Sequence, residues 1–205
     1  MSSASLALSL SVLSFMLTII WGAPLLRILR HFRIGKMIRV EGPERHITKM
    51  GTPTMGGVMI LVPVTLVTLL LNAVSLIGMP VLGRSVLLPL LTLLAFGLLG
   101  AIDDWEGIRG PRRGVGMRIR TKFLLQVALG LVIAYALKYL LEVPEMYWPS
   151  FEQPLSLGIW YIPLDTFIIV GMSNAVNFTD GLDGLAGLIS ATAFAAYGGI
   201  ALMQG

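Results

Sequence analysis

Six apolar blocks, most of them about as long as a bilayer is thick, dominate this sequence and leave it few folds to choose from: Ala4–Leu26, Pro53–Leu71, Val86–Ile102, Phe123–Leu141, Pro163–Val176 and Leu185–Met203. A hydrocarbon core of about 30 Å takes roughly 20 residues of helix. Backbone N–H and C=O groups in lipid must pair within their own segment, so a helix is the expected form of each block. Strands of a membrane barrel would alternate apolar and polar residues, and these blocks do not. Charged residues make up only 13% of the chain, too few to coat a soluble domain of 205 residues. The expectation is an all-α integral membrane protein with about six spanning helices, residues 1–205 forming a single transmembrane domain.

The basic residues orient those spans. Arg27, Arg30, Arg33, Lys36, Arg39, Arg45 and Lys49 follow the first block, and Arg109, Arg112, Arg113, Arg118, Arg120 and Lys122 follow the third; only Arg84 and Lys138 lie elsewhere. Two spans separate the clusters, so they share one side, which the positive-inside rule makes the cytoplasm. The first block has its arginines after it rather than before it, so it reads as an uncleaved span and not as a secretory signal. The net charge of +4 is then topological, suited to anionic lipid, and nucleic acid is not an expected partner. Arg27 to Val40 mixes basic and apolar residues like an interfacial helix. The loop Glu142–Ile162 carries Tyr147, Trp148, Trp160 and Tyr161, rings that settle at a membrane interface, and its prolines and the run Leu157–Ile162 allow a small hairpin. Cysteine is absent, which excludes disulfides and thiolate metal sites. His31 and His46 have no partner at metal-ligand spacing, and Asp165 reads as a helix cap.

The polar motifs gather at the cytoplasmic boundaries. In Lys49-Met-Gly-Thr-Pro-Thr-Met-Gly-Gly57, Thr52 reads as an N-cap and Pro53 as the first helical residue. A helix N-terminus beside Lys49 suits a phosphate; a plain capped helix with a small-residue contact is the alternative. Asp103-Asp104 directly follows an apolar run. Adjacent carboxylates at a membrane edge repel each other, and Mg²⁺ would relieve that cost; the alternative is a solvated pair that ends the helix, as Glu106 is expected to be. Asn174, Asn177, Asp180 and Asp183 recur every three residues and in a helical turn share a face, with Gly181, Gly184 and Gly187 leaving room for a ligand or a helix. Two amides and two carboxylates between two spans point to function more than to a polar turn.

With these residues assembled, the chain resembles the phospho-N-acetylmuramoyl-pentapeptide transferases, a branch of the polyprenyl-phosphate N-acetylhexosamine-1-phosphate transferase superfamily. Gly51-Thr-Pro-Thr-Met-Gly-Gly57 is similar to the signature of the muramoyl branch, Asp103-Asp104 to the acidic pair of the superfamily, and Asn174 to Ala186 to its third signature. Lys122 and Gln126 fit the Lys and Gln that follow the acidic pair. Where the family commonly has a Lys three positions after the second Asp, this chain has Gly107.

The resemblance implies a reaction at the face of the bacterial cytoplasmic membrane. Undecaprenyl phosphate attacks the β-phosphorus of UDP-N-acetylmuramoyl-pentapeptide, UMP leaves, and lipid I forms for peptidoglycan synthesis. It implies Mg²⁺ as cofactor, the lipid bilayer as environment and a homodimer as one expected assembly. Asp103 would deprotonate or orient the lipid phosphate, Asp104 and Asn177 would sit near the metal, Lys49, Thr54, Asp180 and Asp183 would line the nucleotide side, and Lys122 would meet a phosphate. It also implies about ten spans, with a further Mg²⁺-binding Asp and a histidine-rich motif in a later loop. The sequence thus reads as the first part of such an enzyme, expected to be inactive alone. The rivals are a transferase for another UDP-N-acetylhexosamine, against which the Thr-Pro-Thr-Met-Gly-Gly stretch argues, and a transporter or non-catalytic fragment. A transporter would carry its charges near mid-membrane.

Overall fold

The computed structural model describes residues 3–32, 34–35, 53–76, 86–109, 116–143, 145–146, 153–182 and 184–204. The fold is all-α: α1 (Ser3–His31), α2 (Val58–Leu76), α3 (Leu87–Arg109), α4 (Ile119–Tyr139), α5 (Tyr161–Thr179) and α6 (Leu185–Gln204), with one short hairpin, β1 (Glu145–Met146) and β2 (Leu155–Ser156), before α5. Five of the helices are long and apolar enough to cross a membrane; the apolar part of α2, Val58–Ala73, is shorter. The protein is a multi-pass membrane protein. It forms two compact units, one of Leu10–Leu125 and the other of Gln126–Gly205 together with Met1–Ser9.

In the first unit, small residues let the helices approach, as they do where lipid removes the hydrophobic drive for association. Gly22 of α1 lies against the Met59 side chain of α2, and a Cβ on Gly97 of α3 would sit 2.6 Å from Leu61 Cδ1 of α2. Leu25, Leu29, Val67, Leu90 and Leu99 are buried there. Three polar side chains of α1 and α2 are satisfied one turn back: Thr18 Oγ1 donates to Ser14 O and Thr68 Oγ1 to Val64 O, each at 2.8 Å, and Asn72 Nδ2 donates to Thr68 O at 3.0 Å. In the second unit α4 packs on α5 at Gly130, where an added Cβ would lie 3.1 Å from Thr166 Cγ2. Around it Ile133, Ala134, Ala136, Tyr161 and Val170 are buried. The outer side chains of α6 are open, with Phe194 75% and Met203 90% exposed, as lipid-facing positions would be.

Several boundaries differ from the sequence reading. Pro53 does not begin a helix: it bridges to Gly35, and α2 starts five residues later, at Val58. A long-range backbone pairing has overridden the local helix-start signal; Thr52 lies outside the described residues. Asp103 and Asp104 do not end α3, which continues through Glu106 to Arg109. α1 runs on through Arg27 and Arg30 to His31, so the start of the stretch expected at the interface prolongs the first span. There His31 meets Phe32 edge-on at 5.3 Å. The hairpin pairs Glu145 with Ser156 and Met146 with Leu155, whereas Gly158–Trp160 form a 3₁₀ turn leading into α5. Pro163, with its φ already helical, sits in the first turn of α5 and favours helix over strand there. Asp165 lies inside α5 and is not its cap; Trp160 is the N-cap residue. His46 lies outside the described residues.

Candidate functional site

Successive residues of a helix point about 100° apart, so neighbouring carboxylates on α3 reach in different directions. Asp103 reaches the start of α4. Its Oδ1 accepts the Met117 backbone N–H at 2.8 Å, and its Oδ2 accepts a hydrogen bond from Lys122 Nζ at 2.9 Å. The Asp103 and Lys122 side chains are 19% and 23% exposed, so the ion pair is shielded yet reachable. Met117 can come this close because the residue before it is glycine. Gly116 has φ +78°, and a Cβ there would fall 2.7 Å from Asp103 Oδ1.

Asp104 reaches the other way, to the turn before α2. Its Oδ2 accepts the Met55 backbone N–H at 2.9 Å. Met55 has φ +64°, an uncommon conformation for a residue with a long side chain. On its other side the turn is fastened by Thr54 N–H donating to Ile34 O at 3.2 Å and by the Gly35–Pro53 bridge. The Thr54 hydroxyl is buried with no hydrogen-bond partner among the described residues. Gly56 and Gly57 are exposed, with nothing within 4 Å of where their Cβ atoms would lie. One helical turn beyond Asp103, Gly107 is buried, and Arg109 lies over the Trp105 ring at 5.0 Å. The first unit thus joins three of the predicted residues, Asp103, Asp104 and Lys122, around two loop turns, and it adds Thr54 through Met55. Lys49 lies outside the described residues.

The second unit carries the other predicted cluster at the end of α5. Asn174 and Asn177 are helical, and Asp180 is the C-cap residue, still with helical φ and ψ. The three-residue spacing therefore keeps its period as far as Asp180; Asp183 lies outside the described residues. Asn177 and Asp180 are exposed. Asn174 is half-buried and tied inward: its Nδ2 donates to Val170 O at 2.8 Å and to Gln126 Oε1 at 2.9 Å. Gln126, only 2% exposed, donates in turn from Nε2 to Ser173 Oγ at 3.3 Å. This amide relay fixes α5 against α4, since a buried amide left unpaired in an apolar setting is costly. Beyond Asp180 the chain turns through Gly184, at φ +78°, into α6.

Sequence reasoning missed the backbone partners of both carboxylates, at Met55 and Met117, and the role of Ser173. Gly114 and Gly116, between Arg113 and Arg118, carried a readable turn signal, but nothing marked Met55 as left-handed.

Residues 86–205 match the family model of glycosyl transferase family 4, and residues 49–61, which contain the Met55 turn, match phospho-N-acetylmuramoyl-pentapeptide-transferase signature 1. The chain is 42% identical over 202 residues to a phospho-N-acetylmuramoyl-pentapeptide-transferase of Chloroflexus aurantiacus, covering 96% of this chain and 53% of that protein. It is 42% identical over 183 residues to one of Desulforapulum autotrophicum, covering 84% and 46%. With one of Desulfitobacterium hafniense it shares 37% identity over 199 residues, covering 95% and 57%. The chain spans about half the length of the curated relatives it matches.

Proposed function

The chain belongs to glycosyl transferase family 4, and from that premise we propose that it is part of an enzyme that moves phospho-N-acetylmuramoyl-pentapeptide from UDP to undecaprenyl phosphate. The products are lipid I and UMP, and the site is the cytoplasmic face of a bacterial inner membrane. The observation that carries the reading is the acidic pair on α3, fastened at once to the turn within the signature-matching stretch and to Lys122 at the start of α4. A helix that leaves the apolar zone and there presents two carboxylates and an ammonium suits a substrate whose tail is lipid and whose head is phosphate. The basic segments beside these residues agree with a cytoplasmic placement by the positive-inside rule.

In this reading Lys122 serves two anions in turn. Before substrate arrives it pairs with Asp103; a lipid phosphate brought alongside would share the ammonium and release one Asp103 oxygen. Asp103 is then placed to accept a proton from, or to orient, the phosphate that attacks the β-phosphorus. The β-phosphorus–oxygen bond to UMP breaks as the new phosphorus–oxygen bond forms. Holding donor and acceptor in line supplies much of the rate in such transfers. Asp180, Asp183, Thr54 and Lys49 are the residues proposed to face the nucleotide sugar.

Mg²⁺ fits the donor chemistry at Asp104 better than at Asp103. Mg²⁺ takes hard oxygen from one or two carboxylates and completes its shell with water and substrate phosphate. Asp103 has one oxygen against an ammonium, a poor neighbour for a cation, whereas Asp104 Oδ2 accepts a neutral backbone N–H. Asn177 is a second proposed oxygen donor. When bound, the ion would neutralise diphosphate charge.

The test is a turnover assay on the full-length protein in detergent, with labelled UDP-N-acetylmuramoyl-pentapeptide, undecaprenyl phosphate and Mg²⁺. UMP release that needs all three is expected. Release from another UDP-N-acetylhexosamine at equal or greater kcat/KM would replace the proposed substrate. The 205 residues alone are expected to give no release above background.

A further inference from the structure

The Met55 turn has two properties that do not ordinarily occur together. It contains a methionine at φ +64°, and the amide N–H of that same methionine is donated to a charged side chain from another helix, Asp104 Oδ2 at 2.9 Å. A left-handed conformation at a residue with a Cβ is unfavourable and persists only where surrounding contacts hold it. A hydrogen bond to an ionised carboxylate is the strong kind, well able to hold it. Among the described residues, Thr54 N–H to Ile34 O and the Gly35–Pro53 bridge fasten the preceding side of the turn. On the following side, Val58 N–H donates to Met55 O at 3.2 Å, so the carbonyl of Met55 starts the turn from which α2 grows.

We propose that Asp104 is a positioning residue, whose carboxylate holds Met55 left-handed and so sets how Thr54 and the open Gly56–Gly57 pair are presented to the nucleotide-sugar donor. The inference rests on the proposed function for its substrate, but its geometry stands on the Met55–Asp104 contact alone. It gives Asp104 work distinct from that of its neighbour: Asp103 anchors the turn before α4, and Asp104 anchors the turn before α2. The adjacency of the two acids on α3 thus ties two separate loops to one helix end.

Amide hydrogen exchange reads the contact directly. In the 205-residue chain in detergent, Asp104→Ala is expected to speed exchange of peptides spanning Thr54–Gly57 by roughly 10- to 100-fold, the range a lost charge-assisted hydrogen bond produces. Asp104→Asn keeps an acceptor oxygen and is expected to stay much closer to wild type. At the other partner, Met55→Val forces a β-branched residue where φ is positive and is expected to speed exchange likewise. Met55→Asn, a residue type that enters the left-handed region readily, is expected to retain slow exchange.

The functional arm uses the full-length protein. Met55→Val is expected to raise KM for the nucleotide sugar about tenfold with a smaller change in kcat, the split that follows when a binding group is displaced and the reacting atoms are not. Met55→Asn should restore KM toward wild type. Unchanged exchange in Asp104→Ala would overturn the hold of Asp104 on the Met55 turn. Faster exchange in Met55→Val with an unchanged KM would overturn its positioning role. No turnover of the nucleotide sugar by the unmutated full-length protein would sink the functional reading while leaving the exchange result standing.

Discussion

Gly116→Ala should destabilise this protein, while the same substitution sixteen residues earlier on the chain, Gly100→Ala, should stabilise it. At Gly116 two costs combine. The φ of +78° is one that an alanine adopts only at about 1–2 kcal/mol. The new Cβ would lie 2.7 Å from Asp103 Oδ1 and 3.1 Å from Asp103 O, so either the turn or the end of α3 must move. If the turn moves, the Met117 N–H leaves Asp103, and a hydrogen bond to a charged group, about 1.5–3 kcal/mol, goes with it. The expected total is roughly 2.5–5 kcal/mol. Gly100 is a helical residue of α3 with nothing within 4 Å of its Cβ position, so alanine there meets open space and gains helix propensity, about 0.5–1 kcal/mol. Equilibrium unfolding of the two variants by titration with a denaturing detergent, followed by circular dichroism, supplies the comparison. A Gly116→Ala midpoint at or above that of Gly100→Ala would refute the reasoning, because the steric and hydrogen-bond argument fixes the sign of the difference.

The Gln126 relay should behave as a unit. Gln126→Leu, at a position only 2% exposed, removes the bonds to Asn174 and Ser173 and leaves the Asn174 amide only Val170 O, and should cost roughly 1–3 kcal/mol in the same unfolding assay. Adding Asn174→Ala should cost clearly less than the sum of the two single changes, and strict additivity would deny the coupling. Because the chain has no cysteine, single cysteines report topology cleanly: Arg118→Cys, beside the start of α4, and Glu142→Cys, just beyond its end, should react with an impermeant thiol reagent from opposite sides of the membrane. Labelling of both from the same side would remove α4 as a span.

What could be read from the residues alone was whatever the bilayer dictates. Each apolar block became a helix because no other backbone form satisfies itself in lipid, and the blocks set the order of the six helices. The acidic pair was visible for the same reason: carboxylates directly after Ile102 have few bland explanations. The period of Asn174, Asn177 and Asp180 was legible because helical spacing is a local property. Three things depended on partners far away in the chain and were not. Pro53 looked like the first residue of a helix, and it pairs instead with Gly35, ahead of α2. Asp103 to Arg109 looked like a helix end, and backbone N–H groups from two loops, with Lys122, satisfied the acids and let the helix run on. Met55 has no propensity for the left-handed region, and its hydrogen bond to Asp104 depends on a residue 49 positions away.

The central claim is that Asp103 acts on the attacking lipid phosphate and is more than a tether for the turn before α4. It is tested by single-turnover UMP release from the full-length protein carrying Asp103→Asn. The asparagine keeps an oxygen for the Met117 N–H and nearly the same shape, so folding in detergent should be preserved. It cannot take a proton, and it offers Lys122 no charge. UMP release should fall by two orders of magnitude or more, on the scale of removing one charged group from a transfer site, with little change in KM for the nucleotide sugar. A folded Asp103→Asn variant that releases UMP at near the wild-type rate would contradict the account and leave Asp103 a structural anchor.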